Sequence, residues 1–243
     1  MKFDTLDIDE RLLEGIDAIG FTDMTPVQEQ VIPVILEGRD VIASAQTGTG
    51  KTAAFLLPVI HKLLTNDHDE SKINCIIIVP TRELALQIVQ TLDGLSYFTD
   101  ISSIAVYGGG DGPSFANEKN ALSSGVDMVV CTPGRMIAHL NMGHVDLSDV
   151  RYLVLDEADR MLDMGFSDDI KKIISKLPQK RQSLMFSATM PHKIRELART
   201  LLSDPFELNI AISKPPEKIT QEAFIVYEAQ KMPLIRTVLK SKD

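Results

Sequence analysis

The chain has 243 residues, 44% hydrophobic and 24% charged, enough for one large or two small domains around a sizeable core, and excludes a disordered tail, a fibre or a disulfide-stapled miniprotein. With 25 Lys and Arg against 34 Asp and Glu the net charge is −9, which argues against a protein that holds nucleic acid mainly by bulk positive field. The acidity is uneven, because residues 1–40 hold 3 basic and 10 acidic residues while residues 151–243 hold 16 basic and 13 acidic; a local groove made of backbone amides and a few placed side chains stays open.

The N-terminal string MKFDTLDIDE lacks an apolar signal core, and no apolar run approaches the roughly 20 residues that span a bilayer. A cytoplasmic location and no membrane partner are the expectation. The first strand pattern, DVIASA at 40–45, runs into Ala45-Gln46-Thr47-Gly48-Thr49-Gly50-Lys51-Thr52 and then a helical pattern, AAFLLPVIHKLL at 53–64. Glycines let such a loop wrap a phosphate with converging amides at a helix N-terminus, where the partial positive charge favours an anion. In that setting Lys51 reaches the β- and γ-phosphates and the Thr52 hydroxyl binds magnesium. Ala45 stands where the general P-loop pattern has glycine.

INCIIIVP at 73–80 reads as the second strand, with Cys75 as a buried thiol, and leads through PTRELA into the helix RELALQIVQTLDGL at 82–95. ISSIAVY at 101–107 is a third strand followed by GGG at 108–110; VDMVVCTP at 126–133, with Cys131 again a buried thiol, is a fourth, followed by TPGR at 132–135. RYLVLDEAD at 151–159 places Asp156, Glu157 and Asp159 directly after an apolar strand. There Asp156 can hold the magnesium bound by Thr52, and Glu157 can orient or deprotonate an attacking water. QSLMFSAT at 182–189 is a sixth strand, and PHKIRELARTLL at 191–202 a helix. No NKxD or TKxD guanine-reading string occurs, which favours adenine. The five histidines show no metal-ligand spacing, so surface or helix-end positions are expected for them.

Strands alternating with helices predict an α/β fold with a mostly parallel central sheet flanked by helices on both faces, and ligands at the carboxyl ends of its strands. AISKPPEKIT at 211–220, with Pro215 and Pro216, reads as a linker, and the residues beyond it as one strand and one helix. The expected organisation is a first domain over 1–210, a linker over 211–218 and the start of a second domain over 219–243.

Together these strings resemble the DEAD-box ATP-dependent RNA helicases over essentially the first 210 residues: GFTDMTPVQ at 20–28, the P-loop string, PTRELA, GGG, TPGR, DEADRMLDMGF at 156–166 and SAT at 187–189 occur in family order. The resemblance implies a RecA-like P-loop lobe that binds ATP and magnesium. It implies that Phe3, Phe21, Thr25 and Gln28 bind the nucleotide beside Ala45 to Thr52, with Gln28 on the adenine edge and Phe3 stacked on the base. Met24 and Val27 replace the usual proline and isoleucine of that stretch. By the same likeness, Pro80, Thr81, Arg82, Gly109, Thr132, Pro133, Gly134 and Arg135 contact an RNA sugar-phosphate backbone without reading its sequence. Ser187 and Thr189 link the two sites through hydrogen bonds to the Asp-Glu-Ala-Asp segment, and Lys51, Asp156 and Glu157 carry the hydrolysis. Taken singly, the RNA strings also read as ordinary turns and helix starts.

The family's HRxGRxxR string is absent from these 243 residues. The expectation is therefore a monomeric first lobe that binds nucleotide and, without a second lobe, hydrolyses it slowly. A nucleotide-gated RNA-binding scaffold without catalysis and a DNA-directed translocase of the same superfamily are the rival readings.

Overall fold

The computed structural model describes residues 1–46, 48–109, 112–210 and 223–240. All six predicted strands form, trimmed at their ends: β1 (Val41–Ser44), β2 (Cys75–Ile78), β3 (Ser103–Val106), β4 (Met128–Cys131), β5 (Tyr152–Leu155) and β6 (Gln182–Ser187). A seventh, β7 (Phe206–Asn209), lies along β1. The sheet order is β3-β4-β2-β5-β6-β1-β7, and every neighbouring pair is parallel, so the expected mostly parallel sheet is parallel throughout the described strands.

Central strands buried on both sides explain why these segments read as continuous apolar runs rather than as alternations. Val41, Ala43, Ile77, Val130, Val154, Leu184 and Phe186 face one apolar cluster. It is closed by helices α1 (Glu10–Ala18), α2 (Pro26–Leu36), α3 (Lys51–Thr65) and α4 (Arg82–Leu95). Ile42, Ile76, Val129, Leu153, Leu155 and Met185, one residue out of step, face the other cluster. There α5 (Gly112–Ser124), α6 (Pro133–Asn141), α7 (Ala158–Asp163), α8 (Ser167–Ile174) and α9 (His192–Leu201) pack. Cys75 and Cys131 are fully buried thiols, as their surroundings in the sequence suggested, and burial pushes both thiols far up, so neither is a nucleophile at neutral pH.

β7 escaped the sequence because only Leu208 of its four residues is buried, and Pro205 precedes it. Its position comes from tertiary pairing, with the Phe206 N–H donating to the Asp40 carbonyl at 2.8 Å. Asp40 also fixes the amino end of the sheet, accepting from the Ser183 and Ser203 amides at 2.8 Å each.

Helix α1 is set against α4 by Gly15, where an added Cβ would lie 2.2 Å from the Leu95 carbonyl oxygen. A methyl group there has nowhere to go, because the obstacle is backbone. We therefore expect Gly15→Ala to cost about 3 kcal/mol, at the upper end of overpacking penalties, and to lower the melting temperature by roughly 6–12 °C. Thermal unfolding by circular dichroism checks this.

The chain divides into Met1–Ala211 and Ile212–Asp243. In the second unit, residues 223–227 carry no strand, a 3-10 turn covers Glu228–Gln230, and helix α10 covers Lys231–Lys240. The predicted helix is present; the strand reading of this segment is not met among the described residues, consistent with a lone strand having no ladder to join. The predicted linker at 211–218 lies outside the described residues.

Candidate functional site

Because all strands run the same way, the loops after them share one edge, and the strand order sorts that edge into two halves. The loops after β1, β5 and β6, which are adjacent, carry the glycine-rich, acidic and SAT strings. The loops after β2, β3 and β4, adjacent on the other side, carry PTRELA, GGG and TPGR. The topology thus separates the strings by chemistry, which their order in the sequence does not.

In the first half, Ala45 continues β1 by donating its N–H to the Ser187 carbonyl at 3.0 Å and is buried. A strand-like residue that is not at positive φ needs no glycine, so the departure at Ala45 does not disturb the loop. Gly48 and Gly50 do use left-handed backbone, at φ 84° and 85°. Thr49 ties the loop to the Gln46 carbonyl at 2.7 Å; Thr47 lies outside the described residues. Helix α3 begins at Lys51, with the Ala54 N–H reaching the Gly50 carbonyl, so the amides of Lys51, Thr52 and Ala53 precede its first internal bond and point to the loop. Lys51 is buried and donates its Nζ to the Ala45 carbonyl at 2.8 Å, folded into the loop it serves.

The Q-like segment is joined to this loop. Thr25 and Gln28 form a capping box at the start of α2: the Thr25 hydroxyl accepts from the Gln28 amide, and Gln28 Oε1 accepts from the Thr25 amide at 2.8 Å. Gln28 Nε2 then donates to the Gly50 carbonyl at 3.0 Å. Gln28 is therefore a buried strut between α2 and the P-loop rather than a surface amide, with one N–H and one lone pair left for a ligand. Phe3 is only 4% exposed and its ring stacks on Phe21 at 6.2 Å, so in this state both aromatics serve packing.

Asp156 follows β5, is 3% exposed, and accepts from the Glu157 amide at 2.9 Å. Burial pushes its carboxyl up to about 6, against the pull of the Lys51 ammonium, which places Lys51 within electrostatic reach of Asp156. Glu157 sits in left-handed backbone at φ 52° and ψ 47°, a conformation that costs a non-glycine residue on the order of 1 kcal/mol or more. Its carboxylate accepts from Arg160 at 3.1 Å. Asp159 accepts from the Thr189 amide at 2.9 Å and the Thr189 hydroxyl at 2.7 Å, and its own amide donates to the Ser187 hydroxyl. Partial burial would raise the Asp159 carboxyl, but the bonds from Thr189 and Ser187 outweigh it and hold the group below the usual carboxylate range. The bonds between the SAT and Asp-Glu-Ala-Asp segments expected for Ser187 and Thr189 are present.

In the second half, Thr81 caps α4 through the Leu84 amide, and Arg82 lays its guanidinium over Tyr107 at 4.8 Å from the ring centre, next to Gly109. Thr132 is the N-cap of α6, followed by buried Pro133 and by Gly134, where an added Cβ would meet open space. Pro80 is buried, so the two prolines shape the backbone while Thr81, Arg82, Gly109 and Gly134 line accessible surface. Arg135 is different. Its Nε donates to Glu118 at 2.7 Å, its guanidinium lies 4.4 Å from the Phe115 ring centre, and its side chain is 14% exposed.

His139, expected at a surface or helix end, lies in the last turn of α6 but is fully buried, where it stacks on Phe115 at 4.3 Å and shares the same Glu118 oxygen at 2.7 Å. The sequence hid this pairing because Glu118 lies 21 positions earlier, on an α5 whose pattern announced neither helix nor site. Among the described residues no group of three or more His, Cys, Asp or Glu could hold a metal, and no helix is long and apolar enough to cross a membrane.

Known proteins give the same picture. The DEAD/DEAH box helicase family model matches residues 25–197. The chain is 41% identical to the ATP-dependent RNA helicase CshA of Listeria monocytogenes over 239 residues, 98% of this chain and 45% of that protein. It is 41% identical to the DEAD-box ATP-dependent RNA helicase RhpA of Helicobacter pylori over 242 residues, 99% of this chain and 48% of that protein. It is 42% identical to the ATP-dependent RNA helicase DeaD of Mycobacterium tuberculosis over 240 residues, 98% and 41%. The chain thus spans less than half the length of these relatives. A parallel sheet with phosphate-loop and acidic strings on one half of its edge, and a profile match over residues 25–197, place this chain in the DEAD/DEAH box helicase family.

Proposed function

We propose that this chain is the ATP-binding and RNA-binding lobe of an ATP-dependent RNA helicase that couples nucleotide hydrolysis to local opening of RNA duplexes. The carrying observation is the divided sheet edge, with Asp159 on one half hydrogen-bonded to Thr189. The amides of Gly48, Thr49 and Gly50 and the Lys51 ammonium cradle the phosphates, and Gln28 uses its remaining N–H and lone pair on adenine. Phe3 and Phe21 contact the base only if their packing opens.

Thr52 and Asp156 are the residues that would hold magnesium. The fit rests on Asp156, a buried carboxyl pushed up to about 6 despite the nearby Lys51 ammonium, whose ionised form at neutral pH a cation would stabilise. One carboxylate and one hydroxyl suit magnesium, which keeps water and takes substrate phosphate oxygens for the rest of its shell. When bound, it neutralises the charge that develops on the transferred phosphoryl oxygens. Glu157 orients and deprotonates the attacking water. Thr81, Arg82, Gly109, Thr132, Gly134 and Arg135 receive the RNA backbone; preference for RNA over matched DNA follows from contacts to the 2′-OH. No HRxGRxxR string lies within these 243 residues, so turnover by them alone is slow, since an arginine supplied to the transferring phosphoryl contributes on the order of 10³–10⁵ in rate.

Lys51→Ala tests the nucleotide half. A charge-assisted contact is worth about 1.5–3 kcal/mol, so ATP affinity should fall roughly 10- to 150-fold. Isothermal titration of both proteins with Mg-ATP measures it. Unchanged affinity would show that the loop is not the phosphate cradle.

A further inference from the structure

Arg135 sits in a buried cluster that the nucleotide and RNA strings do not account for. Glu118 of α5 is 3% exposed and accepts two hydrogen bonds on one oxygen, from Arg135 Nε and from His139 Nε2, each at 2.7 Å. Since an ionised carboxylate only accepts, a His139 proton lies on Nε2, and its Nδ1 shares a hydrogen bond with His144 Nε2 at 3.0 Å. Phe115 stacks on the imidazole at 4.3 Å with an interplanar angle of 10° and lies under the guanidinium at 4.4 Å. The guanidinium is therefore fixed along its Nε edge and on one face. Its terminal NH2 group is buried and has no hydrogen-bond partner among the described residues.

A fork held at its rear with donors unspent suits an incoming phosphate. It gives up little rotational freedom on binding, because its long side chain is already held in place. A surface arginine ion-paired for solubility would instead direct both ends of its fork at solvent or carboxylate. We infer that Glu118, backed by His139, is a positioning residue that presets Arg135 as a phosphate fork for the RNA backbone. This rests on the reading of Arg135 as an RNA contact.

The test is the salt dependence of RNA binding by this chain, read by fluorescence anisotropy with a labelled single-stranded oligouridylate. Each phosphate contact on a single strand contributes a slope of about −0.7 in log K against log salt. Arg82→Ala and Arg135→Ala should each weaken binding roughly tenfold and make the slope shallower by about 0.7. Glu118→Ala should reproduce the Arg135→Ala loss and slope change although it removes a negative charge, and the double variant should be no weaker than Arg135→Ala. Glu118→Gln still accepts from Arg135 and should keep the wild-type slope, which also guards against a folding defect in the alanine variant.

Tighter binding by Glu118→Ala would make Glu118 a competitor of RNA, and an unchanged slope would make it structural; either overturns the inference. If Arg135→Ala keeps wild-type binding while Arg82→Ala loses it, the assignment of Arg135 fails first and the RNA reading survives. No RNA binding by the unaltered chain would sink both.

Discussion

Glu157→Gln should lower ATP turnover by roughly 10²–10⁴-fold, the usual contribution of a general base, while ATP affinity stays within about twofold. The glutamine keeps the size of the side chain and an oxygen to accept from Arg160, so the 3.1 Å contact that steadies position 157 survives. What it loses is the ability to take a proton. The backbone reinforces the assignment: Glu157 and Asp204 are the non-glycine residues at positive φ among those described, and Glu157 directly follows the buried carboxyl of Asp156. A bulky residue in left-handed backbone is under tension that surrounding structure must hold, and such tension is commonly stored at functional sites. Single-turnover hydrolysis with saturating ATP, with and without RNA, measures the effect. Turnover unchanged by the substitution would favour a nucleotide-gated scaffold over an enzyme.

Much of this site was legible because phosphate chemistry constrains sequence locally. Glycines at 48 and 50, Lys51 and Thr52 must be close in the chain to be close in space, and Asp156 and Glu157 must end an apolar strand. The strand runs were legible for a similar reason: a parallel sheet covered on both faces makes nearly every strand residue apolar. What the sequence concealed depended on distant pairing. Phe3 packs on Phe21, Gln28 braces Gly50 across 22 positions, and Glu118 meets His139 across 21. No local pattern records these contacts. β7 was invisible for the same reason, being a strand by virtue of β1 beside it rather than of its own composition. The separation of strings along the sheet edge also belongs to topology, since β2 is inserted between β4 and β5 by crossovers that adjacent motifs do not reveal.

Asp156→Asn should stabilise the chain in the absence of magnesium and nucleotide, although it removes a group central to the proposed reaction. Folding raises this carboxyl from its ordinary 3.8 to about 6, with burial as the main cause. Between those values the folded chain binds more protons than the unfolded one, so this group makes stability rise as pH falls from about 6 toward 3.8. Above pH 6 the buried carboxylate stays ionised and costs up to about 3 kcal/mol, which asparagine removes. At pH 7.5 the variant should therefore melt higher by up to roughly 6–12 °C. Carboxyls held below their usual range, Asp159 among them, act oppositely as pH falls. The diagnostic is thus the difference between variant and wild type, which should shrink from pH 7 to pH 4. Adding Mg-ATP at about a thousand times Kd should reverse the order, because ligand that binds the folded wild type then stabilises it by about 4.1 kcal/mol, and the variant lacks the carboxylate needed to hold the cation. Thermal melts at three pH values with and without Mg-ATP suffice; a variant less stable than wild type at pH 7.5 without ligand would mean that Asp156 is a structural anchor rather than a carboxylate kept under strain for a cation.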